Sequence, residues 1–322
     1  MFEFLKGGYK ESNLGSSDYV RLSDGKASVY NSYFALEQPL TSAFHPDISC
    51  CVLGSRFFAV TSCSDENMKV KQKDGKLLIQ TSSGKVSLAT VPVESVPKIE
   101  WFEEHGAKDT MLEIKFDDLL HFCSKNFPNE ILRSVYVKDG YAYTTDNVTL
   151  TRTESELPDC LLPYDVCKFF KNGMLAKVGL KNGATRFDFE DGSRMQSGQF
   201  AGKYPDIPSI LEPMIREAHN IEPFMFQGNY ADQMKRLGAV IDNKLLPIQL
   251  VDDTLVTCSE KGTAVETFDA QWPDVRVGFE QMNRALSRGL IYLRILSDGK
   301  CLFTNASEID EASIVHVISN RV

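Results

Sequence analysis

Ser134-Val-Tyr-Val-Lys-Asp-Gly-Tyr-Ala-Tyr-Thr-Thr-Asp, residues 134–146, reads as strand, tight turn and strand. It follows Phe116-Asp-Asp-Leu-Leu-His-Phe-Cys-Ser-Lys, residues 116–125, which reads as a helix. A second phrase of the same grammar comes next. Its helix is Pro163-Tyr-Asp-Val-Cys-Lys-Phe-Phe-Lys-Asn and its hairpin is Ala176-Lys-Val-Gly-Leu-Lys-Asn-Gly-Ala-Thr-Arg-Phe-Asp-Phe. Asp-Gly and Asn-Gly between alternating apolar residues mark hairpins, because type I′ turns need positive φ at both central residues.

Weaker copies of both phrases lie on either side. First-phrase turns fall at Asp24-Gly25, Asp139-Gly140 and Asp252-Asp253, and second-phrase turns at Asp74-Gly75, Asn182-Gly183 and Asp298-Gly299. Each series repeats at roughly a third of the 322 residues, the signature of an internal repeat. Three compact β-rich domains with two helices each are expected, at 1–104, 105–211 and 212–322, an α+β architecture. Gly7-Gly8 cuts the first helix short. Gly54-Ser-Arg-Phe-Phe-Ala-Val-Thr-Ser is a helix candidate whose composition also suits a strand. Lys203-Tyr-Pro-Asp-Ile-Pro reads as the end of the second domain.

Composition is that of an ordinary globular chain, 43% hydrophobic and 25% charged. No stretch approaches the ~20 apolar residues of a membrane span, and the N-terminus lacks a signal-peptide pattern. The eight cysteines form no Cys-x-x-Cys pair, and most sit among apolar residues. They read as reduced core thiols in a cytosolic protein.

Net charge is −9, yet every helix candidate carries a cation. Lys6, with Lys10 just beyond, and Arg56 belong to the first copy, Lys125, Lys168 and Lys171 to the second, and Lys235, Arg236, Arg284 and Arg288 to the third. Cations late in a helix also complement its dipole, which accounts for single cases better than for the set. In the last helix Phe279, Met282, Leu286 and Leu290 share one face, and Arg284 and Arg288 another.

No catalytic pattern competes. Histidines 45, 105, 121, 219 and 316 show no metal-ligand spacing, no phosphate-binding glycine loop occurs, and Ser95-Val-Pro-Lys98 lacks companion motifs. No enzyme, cofactor or metal is expected.

The chain resembles the bacterial β sliding clamps, the processivity subunits of replicative DNA polymerase, and a divergent, viral member would suit it. The most specific match is Ser83-Gly-Lys-Val-Ser-Leu-Ala-Thr-Val-Pro-Val-Glu-Ser-Val-Pro, like the family's first-domain ending. Lys203-Tyr-Pro-Asp-Ile-Pro is similar to its second-domain ending, Tyr143-Thr-Thr-Asp-Asn-Val-Thr-Leu to its Ala-Thr-Asp-Gly-His-Arg-Leu run, and Val315-His-Val-Ile-Ser-Asn-Arg-Val to its C-terminal tail. The resemblance implies a ring-shaped, head-to-tail homodimer in the cytoplasm of a bacterium or phage-infected cell. Helix cations would face duplex DNA from inside, under an acidic exterior, and partners would be DNA polymerase and a clamp loader. It also implies a pocket for partner peptides at Tyr136, Val137, Thr145, Val148, Leu150, Pro205, Val317, Ile318, Arg321 and Val322. Asn147-Val148-Thr149 and Ser319-Asn320 depart from the family there, so partner specificity is expected to differ. The rival readings are a non-encircling interaction scaffold of the same fold and an all-β enzyme with an unrecognised site.

Overall fold

The computed structural model describes residues 2–9, 15–63, 67–102, 110–123, 128–170, 173–198, 202–241, 247–260 and 262–319. The first stretch contains helix α1 (Glu3–Gly8), strands β1 (Tyr19–Ser23), β2 (Lys26–Tyr30), β3 (Phe34–Pro39) and β4 (Cys50–Leu53), helix α2 (Gly54–Ser62), and strands β5 (Lys69–Lys73), β6 (Lys76–Gln80) and β7 (Lys85–Val91). The second contains β8 (Leu112–Ile114), α3 (Asp117–Phe122), β9 (Val135–Lys138), β10 (Tyr141–Thr145), β11 (Thr149–Glu154), β12 (Cys160–Leu162), α4 (Tyr164–Phe169), β13 (Met174–Lys181), β14 (Ala184–Phe189) and β15 (Arg194–Ser197). The third contains α5 (Ile207–Ala218), β16 (Phe224–Met225), α6 (Tyr230–Ala239), β17 (Pro247–Ser259), β18 (Gly262–Gly278), α7 (Phe279–Ser287), β19 (Tyr292–Ile295), β20 (Cys301–Thr304) and β21 (Ile314–Ile318).

All six helices read from the sequence form. The ambivalent segment is α2, with Phe57, Phe58 and Thr61 buried on one side. The turn expected at Asp252-Asp253 does not form, although Asp252 alone there is left-handed at φ 50°, whereas Asp24, Asp74, Asp139 and Asn182 take left-handed φ of 50–54°, each before a left-handed glycine, as type I′ turns require. Asp298 does not, and there Gly299 alone is left-handed at φ 77°. Asp252 lies within β17, and the register against β18 breaks on either side of it. A Cβ on Gly8 would collide with Leu36 and Phe34, so only glycine lets the end of α1 lie this close to β3.

α5 was not expected. It spans 12 residues and crosses the boundary between residues 211 and 212. Its two prolines disguise it: Pro208 lies in the first turn, where a missing N–H costs nothing, while Pro213 lies inside the helix. The Asp206 carboxylate caps its start, accepting bonds from Ser209 N at 3.5 Å and Ser209 Oγ at 2.7 Å.

The chain forms two compact units, Met1–Lys115 with Asp165–Ala201, and Phe116–Tyr164 with Gly202–Val322. The first holds an 11-stranded sheet in the order β5-β6-β7-β4-β1-β2-β3-β15-β14-β13-β8. The second holds an eight-stranded sheet, β12-β9-β10-β11-β21-β20-β19-β16, and the ribbon β17-β18. Sheets therefore run across the repeats: β15 pairs antiparallel with β3, and β21 with β11.

Helices gather by unit. In the first, α1, α2 and α4 share an aromatic core, with Phe2 5.1 Å from Phe57 and Phe4 5.1 Å from Phe169 between ring centroids. In the second, α6 and α7 pack with Phe122 of α3 over one face of the sheet, burying Met234, Leu237, Phe279, Met282, Leu286 and Leu290. α5 lies on the opposite face, packed with Tyr143, Leu302, Val315 and Val317. Arg294, 4% exposed, ties down the segment after α5 by donating to Ile221 O at 3.0 Å.

Cys50, Cys51, Cys123, Cys167 and Cys301 are buried and unbridged, Cys160 is half-buried, and Cys63 is exposed. Burial raises the Cys50, Cys123 and Cys301 thiols to about 12.

Candidate nucleic-acid interface and partner pocket

Of the helix cations, Lys6, Arg56, Lys168, Lys235, Arg236, Arg284 and Arg288 lie among the described residues, and Lys10, Lys125 and Lys171 lie outside them. Arg56 of α2 and Lys168 of α4 are exposed in the first unit and make no ion pair among the described residues. The other five are partnered. Lys6 lies 3.8 Å from Glu3 and Lys235 3.1 Å from Asp232. Arg284 lies 2.9 Å from Glu280, and Arg288 3.5 Å from Asp118 of α3. Arg236 is held in both arms by Glu266, at 2.6 and 2.8 Å. That bond raises the guanidinium pKa and lowers that of the carboxyl. A bidentate pair of this kind leaves little of the fork for a phosphate.

α3 and α7 are knitted together. His121 Nε2 is 3.2 Å from Arg284 O, and burial and the Arg288 charge lower its pKa. Beneath them His316 is 1% exposed. It stacks on Phe122 at 4.2 Å, with Nδ1 2.7 Å from Thr151 Oγ. Burial, helped by Arg284 and His121, pushes its pKa down to about 3. His316 is a packed residue of β21. Among the described residues no group of three His, Cys, Asp or Glu side chains is placed to hold a metal ion.

The pocket residues come together in the eight-stranded sheet but on two faces. Tyr136 is opposite Tyr143, Leu150 is opposite Thr145, and Val317 is opposite Leu150 and Leu302. Cross-strand partners share a face, and neighbours along a strand point to opposite faces. Tyr136, Thr145, Leu150 and Val317 therefore share the α5 face. Val137 and Ile318, fully buried, point to the other, and Ile318 packs with α6 and α7. Their place in the pocket is corrected by this alternation. Arg321 and Val322 lie outside the described residues.

The turn that carries Val148 is stiff. Asp146 accepts from Val148 N at 3.1 Å, Thr149 N at 2.7 Å and Thr149 Oγ at 2.9 Å, while Asn147 is left-handed at φ 67°. Ser319 N donates to Val148 O at 2.9 Å. Tyr136, Val148, Leu150 and Pro205 remain half-buried. Tyr204, Ile207 and Leu211 complete this face, with Tyr204 stacked on Tyr136 at 5.1 Å. Sequence reading missed these three, although Ile207, Leu211, Ile215 and Ala218 keep helical spacing.

The exterior is not uniformly acidic. On β5, β6 and β7 the solvent face carries Lys69, Lys71, Lys73, Lys76 and Lys85, all exposed.

No protein-family model matches the chain, and no curated protein matches it. Solved structures do. The DNA polymerase III beta subunit of Eubacterium rectale is 12% identical with a TM-score of 0.79, covering 99% of this chain and 95% of its own. The DNA polymerase sliding clamp of Pseudomonas aeruginosa is 14% identical with a TM-score of 0.76, covering 99% and 96%. The beta clamp of Helicobacter pylori, bound to a DNA ligase peptide, is 14% identical with a TM-score of 0.74, covering 99% and 96%. Over essentially its whole length, this chain has the fold of the DNA polymerase III beta sliding clamps.

Proposed function

We propose that the chain is a DNA sliding clamp, a non-catalytic processivity factor that closes around duplex DNA as a head-to-tail homodimer. Three clamp domains, 1–104, 105–211 and 212–322, make each half. The observation that carries this reading is a strand left over at each end of the repeat series. Each second phrase ends in a strand that pairs with the third strand of a neighbouring copy, as β15 does with β3 and β21 with β11. Among the described residues two strands lack such a partner: residues 85–89 of β7 pair only with β6, and β18 only with β17. β7 and β18 also carry two exposed large apolar residues, Val86 at 39% and Val265 at 54%. Exposed edges invite pairing. β7 of one copy against β18 of a second, taken twice, closes a twofold assembly that uses both of these edges.

In such an assembly Arg56, Lys168, Arg284 and Arg288 meet phosphates without reading bases, and topology rather than tight contact retains the DNA. The face at Tyr136, Thr145, Val148, Leu150 and Pro205 receives peptides of a polymerase, a clamp loader or other partners, as the Helicobacter pylori clamp holds a DNA ligase peptide. The site of action is the cytoplasm of a bacterium or a phage-infected cell.

The test is solution mass at micromolar concentration together with retention on DNA. A mass twice 36.1 kDa, with retention on closed circular but not linear duplex, is expected. A monomer lost equally from both overturns the proposal. The five ion-paired helix cations favour a second reading, a non-encircling scaffold, in which reversing Arg56, Lys168, Arg284 and Arg288 leaves function intact.

A further inference from the structure

The solvent face of β5, β6 and β7 is a second basic surface, away from the helices. Register places Lys73 opposite Lys76, Lys71 opposite Leu78 and Lys69 opposite Gln80, with Gln80 opposite Lys85 in turn. All five lysines therefore share one face, while Val70, Leu77, Ile79 and Leu88 are buried on the other. At ordinary strand spacings the five occupy roughly 14 Å by 10 Å. None has an ion pair among the described residues, and from residue 69 to 91 the only acid is Asp74, in the turn.

Two ordinary explanations fall short. Lysines often guard an edge strand, and Lys85 lies on the stretch of β7 paired only with β6 among the described residues, but Lys76 is on the interior strand β6. The edge of β5 is also partly closed, since Val70 N donates to Ala43 O at 2.8 Å and Val70 O accepts from His45 N at 2.9 Å. Solubility needs no such concentration either. Like charges directly opposite each other, as at Lys73 and Lys76, destabilise a sheet.

We infer that this face binds the phosphodiester backbone of duplex DNA, outside any encircled segment. Lys69, Lys71 and Lys73 recur every ~6.8 Å along β5, close to the through-space separation of successive phosphates on one strand, which combines a rise of ~3.4 Å with the turn of the duplex. The face carries Leu78, Gln80, Ser87 and Ala89 between its lysines and no aromatic side chain. It therefore lacks a row of aromatic platforms on which single strands stack, and its evenly spaced lysines contact backbone without regard to sequence. The inference does not depend on ring closure.

Fluorescence anisotropy with a short linear duplex, a single strand of equal length and polyglutamate tests it across a salt series. The K69Q/K71Q/K73Q variant should flatten the log–log salt slope for the duplex by about 2.7, at ~0.9 per phosphate contact. K76Q/K85Q should flatten it by about 1.8. Retention on closed circular DNA should survive both, which separates this surface from the encircling role. An unchanged duplex slope in both variants overturns the inference. So does a lysine-dependent preference for the single strand or for polyglutamate. All five side chains are exposed, and circular dichroism of each variant checks that the fold is kept.

Discussion

The β5–β6–β7 meander and the β19–β20–β21 meander occupy corresponding places in the first and third repeats, yet one is bare and the other is covered. β7 is exposed at four of its seven positions, whereas all five residues of β21 are buried. A strand buried on both faces must be apolar throughout, and one with a wet face alternates. Ile314-Val-His-Val-Ile and Lys69-Val-Lys-Gln-Lys show that contrast directly. The difference is made by α5, which covers the face of the third repeat's sheet opposite α6 and α7 and has no counterpart over β5–β7 among the described residues.

The contrast can be strained from the covered side. Leu211, 1% exposed on α5, should cost about 3 kcal/mol when cut to Ala, read as a lowered urea midpoint. His316 comes next. Its folded pKa, about 3, lies below the unfolded value near 6.5, so the unfolded chain binds the extra proton between them. Stability is therefore full above about pH 6.5 and is lost as pH falls towards 3. Between pH 7 and pH 5 the loss should be on the order of 1–2 kcal/mol, and His316→Phe should flatten that dependence. Asp206→Ala, which removes the α5 cap, should cost about 1 kcal/mol. On the bare side, Lys71→Ala should change stability by no more than about 0.5 kcal/mol. A large effect there would mean that the lysine face is structural.

Much of the fold was legible in the sequence because it is written in local rules. Left-handed Asp and Asn at the turns, and apolar spacing in α7, are decided within a few residues. The pairings β15–β3 and β21–β11 were not legible, because no local rule says which repeat supplies a strand's neighbour. α5 was hidden by Pro208 and Pro213, which read as linker although its apolar spacing is regular. The pocket was half legible: Tyr136, Thr145, Leu150 and Val317 share a face, while Val137 and Ile318 were assigned by position along the chain and fell to the pleat. The lysine face is written plainly at period two in Lys69-Val-Lys-Gln-Lys, on strands and apart from the helix cations.

The cysteines give the molecule a chemical address. Thiols held at about 11–12 in the interior, as at Cys50, Cys51, Cys123 and Cys301, have almost no thiolate with which to attack an electrophile near neutral pH. Cys63, at the end of α2, is exposed. A maleimide dye offered briefly to the folded protein should land there first, placing a reporter on the first unit without any engineered residue.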